Sequence, residues 1–313
     1  MPTPGSHLED TRPASGADLD RLETEAELDA GLDLDARSTR ELVELMGTED
    51  STVPGAVRAA ADGIAALVDA VAERLRAGGR LIYAGAGSSA RIAALDASEC
   101  ESTFSTAPGT VVALVAGGIA SPPLVQEAAE DDRDAGAADV AGLRVNEGDV
   151  VVGVSASGRT PYTIGALEAA SAAGALTACV VSVRGSELER LAEHPIVVVV
   201  GPEFLAGSTR LKAGTAQKLV LNTLSTLAMV RLGKTYGTLM VDVAATNEKL
   251  RARVRRIVRT ATGASPDEVE EALAAADGSA KIAIVSLRAG IGADEARRRL
   301  AAADQSIARA VSG

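Results

Sequence analysis

The chain has 313 residues, of which 47% are hydrophobic and only 2% aromatic, with no Trp and a formal net charge of −12. Its core must therefore be built from Ala, Val, Leu and Ile, and its acidity argues against non-specific binding to nucleic acid or to an anionic membrane surface. Cys100 and Cys179 show no CxxC or metal spacing, which fits a reducing cytoplasm. No apolar run reaches the roughly 18–20 residues of a membrane span, and residues 1–20 lack the layout of a signal peptide.

In chain order, residues 1–20 are rich in Pro, Gly and Ser and read as a disordered extension. Residues 21–50 are acidic and weakly helical, with Arg40–Met46 the clearest turn. Val53–Ala77 carries apolar residues at helical spacing and stops at Gly78-Gly79. Then come five apolar runs: Leu81–Ala84, Val111–Ala116, Val150–Val154, Ala178–Val183 and Ile196–Val200. They are continuous rather than alternating, as expected of strands covered on both faces. Helical segments separate them at Ala90–Glu99, Leu124–Ala135, Pro161–Ala173 and Glu187–Ala192, and a long helix is expected over Thr209–Leu232. The alternation predicts an α/β fold, a doubly wound parallel five-stranded sheet with right-handed crossovers. Beyond residue 247, Lys249–Arg259, Ser265–Ala276, Ser279–Leu287 and Ala293–Ala310 read as helices. Three units are expected: the extension at 1–20, a sheet domain with N-terminal helices at 21–247, and a small helical domain at 248–313.

Two loops share one design. Gly85-Ala86-Gly87-Ser88-Ser89 follows the first strand and opens a helix; Ser155-Ala156-Ser157-Gly158-Arg159-Thr160 follows the third and leads into Pro161. Glycine lets a ligand approach the backbone, hydroxyls donate, and the free N–H groups of a helix's first turn attract an anion. Two capped turns would look similar, but a repeated hydroxyl loop beyond the carboxyl ends of parallel strands points to a phosphate or sugar-phosphate site. Neither loop is followed by the Gly-Lys of a nucleotide-binding loop, and the first lacks the third glycine of a dinucleotide fingerprint, so nucleotide cofactors are disfavoured. A third polar cluster, Gly207–Thr215, opens the long helix with Ser208, Arg210 and Lys212. The only histidines are His7 and His194, which leaves acid–base chemistry to carboxylates, Lys or Tyr. Glu99, Glu101, Glu127, Glu130, Asp131 and Asp132 are the carboxylates near these loops, and most acidic clusters in so acidic a chain are solvated surface.

Several segments together resemble the N-acetylmuramic acid 6-phosphate etherase family, which has a sugar isomerase (SIS) fold. They are GAGSSARIAALDASEC at Gly85–Cys100, VAGG at Val115–Gly118, AEDD at Ala129–Asp132, SASGRTPY at Ser155–Tyr162, GSTRLKAGTAQK at Gly207–Lys218 and LMVDV at Leu239–Val243. The chain departs from the family at Ala90, at Glu101-Ser102 and at Thr24–Glu27, where the family usually has Gly, Pro-Pro and a Thr-Glu-Ser-Arg start. The resemblance implies cleavage of a C3 lactyl ether to N-acetylglucosamine 6-phosphate and D-lactate, with no metal and no cofactor. Its two catalytic glutamates match Glu99, expected as a buried acid on the lactate side, and Glu130, expected to move the C2 proton. Gly87, Ser88, Ser89, Ser155, Ser157, Gly158, Thr160, Ser208 and Lys212 are the implied phosphate and sugar contacts. A homodimer with sites near its interface is also implied.

Two other functions fit the same loops. A sugar-phosphate isomerase of this fold often uses a histidine for ring opening, and neither His7 nor His194 is placed for it. A non-catalytic sugar-phosphate-binding regulator should begin with a basic helix-turn-helix, whereas residues 1–50 are acidic. The presence of both Glu99 and Glu130 favours an enzyme.

Overall fold

The computed structural model describes residues 23–29, 31–121, 123–243 and 248–312; the extension expected over 1–20 lies outside them. Five parallel strands form one sheet: β1 (Leu81–Gly85), β2 (Val111–Val115), β3 (Val150–Val154), β4 (Leu176–Val181) and β5 (His194–Val197), in the order β2-β1-β3-β4-β5. The three central strands are buried along their whole length, the reason their sequences show no alternation. β5 starts two residues earlier than expected. Pro195 falls inside it, which an edge strand tolerates because the missing N–H faces no ladder.

Helices cover both faces. On one side α3 (Ala61–Arg76), α4 (Gly87–Phe104) and α9 (Lys212–Arg231) bury Leu67, Tyr83, Val152, Leu221 and Met229. On the other, α6 (Arg133–Gly142), α7 (Pro161–Ala172) and α8 (Glu187–Leu191) enclose Ile82, Val151, Ile164, Leu167 and Leu188. Each such aliphatic side chain contributes about 1.5–3 kcal/mol by leaving water.

Several helices differ from expectation. The helix foreseen over 53–77 is two, α2 (Val53–Ala59) and α3, parted at Ala60; no side chain there accounts for the break. The helix foreseen over 124–135 is also two, α5 (Pro123–Glu130) and α6, because Asp132 leaves the helical region and accepts the Ala135 N–H at 2.9 Å. α9 starts at Lys212 rather than Thr209, since the buried Glu203 carboxylate takes the N–H groups of Lys212 (2.8 Å) and Ala213 (3.0 Å). α1 (Thr39–Asp50) extends past its expected end behind a Ser38–Glu41 capping box and buries none of its residues.

After α9 come a short hairpin that the sequence did not suggest, β6 (Thr235–Tyr236) with β7 (Leu239–Met240), and then α10 (Glu248–Thr262), α11 (Pro266–Ala275), α12 (Ala280–Ala289), α13 (Ala293–Ala302) and α14 (Ile307–Ser312). The last two replace one expected helix, because Asp304 and Gln305 adopt left-handed φ values of 48° and 62°. These helices share their own core around Val258, Ile284, Val285 and Leu300.

The α6–α7 crossing is close enough to require glycine. A Cβ at Gly165 would run into the Arg133 carbonyl, and one at Gly136 into the Tyr162 carbonyl. Gly165→Ala should therefore lower the urea midpoint by the equivalent of about 1–3 kcal/mol; equilibrium unfolding at unchanged m-value measures it.

Candidate active site

β1 pairs with β2 on one side and β3 on the other, with Gly85 level with Val154. The chain thus leaves β1 and β3 in opposite directions. The space beyond their carboxyl ends is the switch point where ligands bind in open parallel sheets. Both hydroxyl loops lie there, about 4.8 Å apart at their strand ends.

The first loop places Gly87 at φ 53° and starts α4 with Ala86 as a cap that offers no side-chain hydrogen bond. α7 also starts without a side-chain cap. By contrast, Asp132 and Ser186 cap α6 and α8. The two helices that point at the switch point are thus left with free N–H groups in their first turns. Ser88 is exposed and Ser89 half-buried at the mouth.

The second loop has an inner and an outer set of hydroxyls. Ser155 and Thr160 are buried; their hydroxyls pair at 2.9 Å, and Ser155 Oγ accepts the Gly158 N–H at 3.0 Å. Ser157 is half-buried and accepts the Arg159 N–H at 3.3 Å. Gly158 has φ 65°, and a Cβ there would strike the Ser186 hydroxyl, so the loop lies hard against the start of α8. Ser155 and Thr160 accordingly shape the loop, while Ser88, exposed, and Ser89 and Ser157, half-buried, face the mouth.

Glu130 closes the group. It is the last residue of α5, its Oε2 comes 3.8 Å from where a Gly87 Cβ would stand, and the Thr160 side chain lies close enough to lower its pKa. Burial raises its pKa, the Asp131 carboxylate raises it further, and Thr160 offsets part of this. The helix break at Asp131-Asp132, invisible in the periodicity, is what ends α5 at this point.

Glu99 is placed differently. It lies inside α4 rather than at its end, its side chain is 59% exposed, and Lys218 on α9 reaches it at 3.4 Å. The buried environment expected for it is absent within one chain. Twelve residues separate it from Gly87, about 18 Å along the helix axis, so a single chain does not bring Glu99 and Glu130 together.

The third cluster also departs from expectation. Lys212 is 2% exposed and its Nζ is taken by Glu49 of α1 at 2.7 Å, while Glu203 fills the start of α9. Ser208 is half-buried in the turn before it, and its N–H donates to the Leu205 carbonyl. The Thr24 carbonyl accepts the Gly207 N–H at 2.9 Å, which brings the altered Thr24–Glu27 segment against this turn.

A cavity of about 690 Å³ lies elsewhere, lined by Ser105, Asp242, Arg255 and Asp277 among others. It contains neither loop and neither glutamate, and its Arg255 is paired with Glu248 and Glu270. The loops, not the cavity, carry the convergent polar groups. Among the described residues no three His, Cys, Asp or Glu side chains gather as a metal site, and no helix is long and apolar enough to cross a membrane.

The raised pKa of Glu130 has a consequence for stability. Its protonated form is favoured in the folded state, so that contribution is present in acid and is lost as pH rises through the folded pKa. Glu130→Gln should therefore raise the thermal midpoint at pH 7, and the gain should vanish below the ordinary carboxylate range; scanning calorimetry across pH measures it.

Two family models match this region: the glucokinase regulatory protein N-terminal SIS domain over residues 63–171 and the SIS domain over residues 133–227. A phosphoheptose isomerase from Francisella tularensis is similar in structure, with a TM-score of 0.50 at 17% identity over 62% of this chain and 100% of that one. Identity that low speaks for the fold alone. N-acetylmuramic acid 6-phosphate etherase from Streptomyces avermitilis is 57% identical over 275 residues, 88% of either chain. The protein of that name from Rubrobacter xylanophilus is 57% identical over 274 residues, 88% of this chain and 91% of its own. With an SIS sheet, two hydroxyl loops at its switch point and identity above one half along nearly nine-tenths of its length, the chain belongs to the N-acetylmuramic acid 6-phosphate etherase family.

Proposed function

We propose that this chain cleaves the C3 lactyl ether of N-acetylmuramic acid 6-phosphate, a carbon–oxygen lyase step followed by hydration, in the recycling of cell-wall amino sugars in the cytoplasm. The observation that carries the reading is Glu130: a carboxyl of raised pKa held between two hydroxyl loops that suit a sugar phosphate. The phosphate is assigned to the free N–H groups at the start of α4 and to Ser88, Ser89 and Ser157. Ser155, Gly158 and Thr160 shape that seat. Ser208 and Lys212 are assigned to the fold around it.

In the open-chain aldehyde the C2 proton is acidic. Glu130 removes it, electrons move into a C2–C3 double bond, and the C3–O bond breaks with departure of lactate. The lactate oxygen takes a proton from Glu99. Water, deprotonated by Glu99, then adds at C3, and Glu130 returns a proton to C2, so both carboxyls end as they began. The separation of about 18 Å along α4 leads us to place Glu99 in the site of a second copy: a homodimer in which each site combines one chain's loops and Glu130 with the partner's Glu99.

Three measurements test this. D-lactate release from N-acetylmuramic acid 6-phosphate should fall about 10²- to 10⁴-fold in Glu99→Gln and in Glu130→Gln; release at the wild-type rate removes that residue from the mechanism, and a ketose product instead of lactate favours the isomerase. Mixing the two inactive variants with subunit exchange should restore roughly a quarter of the wild-type rate if the site is shared across a two-fold axis, and no restoration puts both glutamates in one chain. A sugar 6-phosphate should raise the thermal midpoint well above the effect of the unphosphorylated sugar.

A further inference from the structure

Asp96 is the one buried carboxylate on the α4 face that carries Glu99. It is 3% exposed. Tyr83 of β1 donates its hydroxyl to Oδ2 at 2.9 Å and Ser225 of α9 donates to Oδ1 at 3.1 Å, while the Cys100 thiol donates to the Asp96 main-chain carbonyl at 3.4 Å. Both carboxyl oxygens are thus held by neutral hydroxyls from two other elements. Burying a carboxyl on such terms is costly, and an apolar side chain would fill the space at less expense. Stability is therefore a poor reason for an aspartate here.

Helix geometry supplies a better one. On α4, Asp96, Glu99 and Cys100 share a face at spacings of three and four; on α9, Lys218 and Ser225 share a face at a spacing of seven. Ser225 meets Asp96 and Lys218 meets Glu99 across the same helix pair. The Tyr83–Asp96–Ser225 bridge fixes how α4 is turned against α9, and with it the 3.4 Å Lys218–Glu99 pair. The charged and titratable groups facing Asp96 are Tyr83 from the sheet, Cys100 and Glu99 from its own helix, and Lys218 from α9, beside the Ser225 hydroxyl. Burial pushes its carboxyl up, Tyr83, Ser225 and Lys218 pull it down, and Glu99 pushes it up again.

We infer that Asp96 is a positioning residue for Glu99, holding α4 and α9 in the one rotation that sets Lys218 against the Glu99 carboxylate. This rests on the assignment of Glu99 to the lactate-side proton transfer.

The test uses the full chain and the release of D-lactate from N-acetylmuramic acid 6-phosphate. Asp96→Asn should lower kcat about 10- to 100-fold with KM little changed. In a Lys218→Met background the same change should cost nothing further. An Asp96→Asn protein with a lower thermal midpoint but wild-type kcat would overturn the proposal. Should Asp96→Asn fail to fold, Ser225→Ala should show the kcat loss without a KM change and Ser225→Thr should restore it; wild-type kcat in Ser225→Ala overturns the proposal equally. Wild-type lactate release from Glu99→Gln would instead remove the underlying assignment, and this inference with it.

Discussion

The pairing of β1 with β2 on one side and β3 on the other is the constraint on which the rest depends. Parallel strands need crossovers, and right-handed crossovers leaving in opposite directions open a crevice only between β1 and β3. That pairing aligns Gly85 with Val154 and so sets the two hydroxyl loops side by side. Had β3 paired beyond β2, the same loops would be separated by a strand and would form no common seat.

Around this crevice two helices start without a side-chain cap. Several helices away from it start on side chains, a Ser38–Glu41 capping box at α1, Asp132 at α6, Ser186 at α8 and the Glu203 carboxylate at α9, although α2, α3 and α13 start without one. α4 and α7, which face it, have none. A cap contributes about 1 kcal/mol, so two bare helix starts beside a half-buried carboxyl of raised pKa cost the fold without giving it anything. A ligand that accepts those N–H groups recovers that cost, the expected economy of an anion site.

The same α4 joins two charged environments. At its start stand Gly87, Ser88, Ser89 and the Glu130 carboxyl; near its end Glu99 faces Lys218, above the Tyr83–Asp96–Ser225 bridge. A straight helix keeps these ends apart whatever the side chains do. The proposed two-fold assembly is the simplest arrangement that lets one rigid element serve two sites at once.

All five strands and the helices between them were legible in the sequence, because fully covered strands must be continuous apolar runs and loops at their ends must carry the polar groups. The hydroxyl loops and the candidate glutamates were legible too, as residue types at motif positions. Tertiary structure alone decided the rest. The split at Asp131-Asp132 depends on a cap that competes with helix continuation, and it decides where Glu130 points. The capture of Lys212 by Glu49 joins residues far apart in the chain, while the inward turn of Ser155 and Thr160 and the filling of α9's start by Glu203 depend on how the folded loops present their side chains. Periodicity and spacing report which face of an element is apolar and which residues cluster along it. They carry no information on which distant partner claims a given charge, and that choice separates the side chains left free for substrate from those that hold the fold.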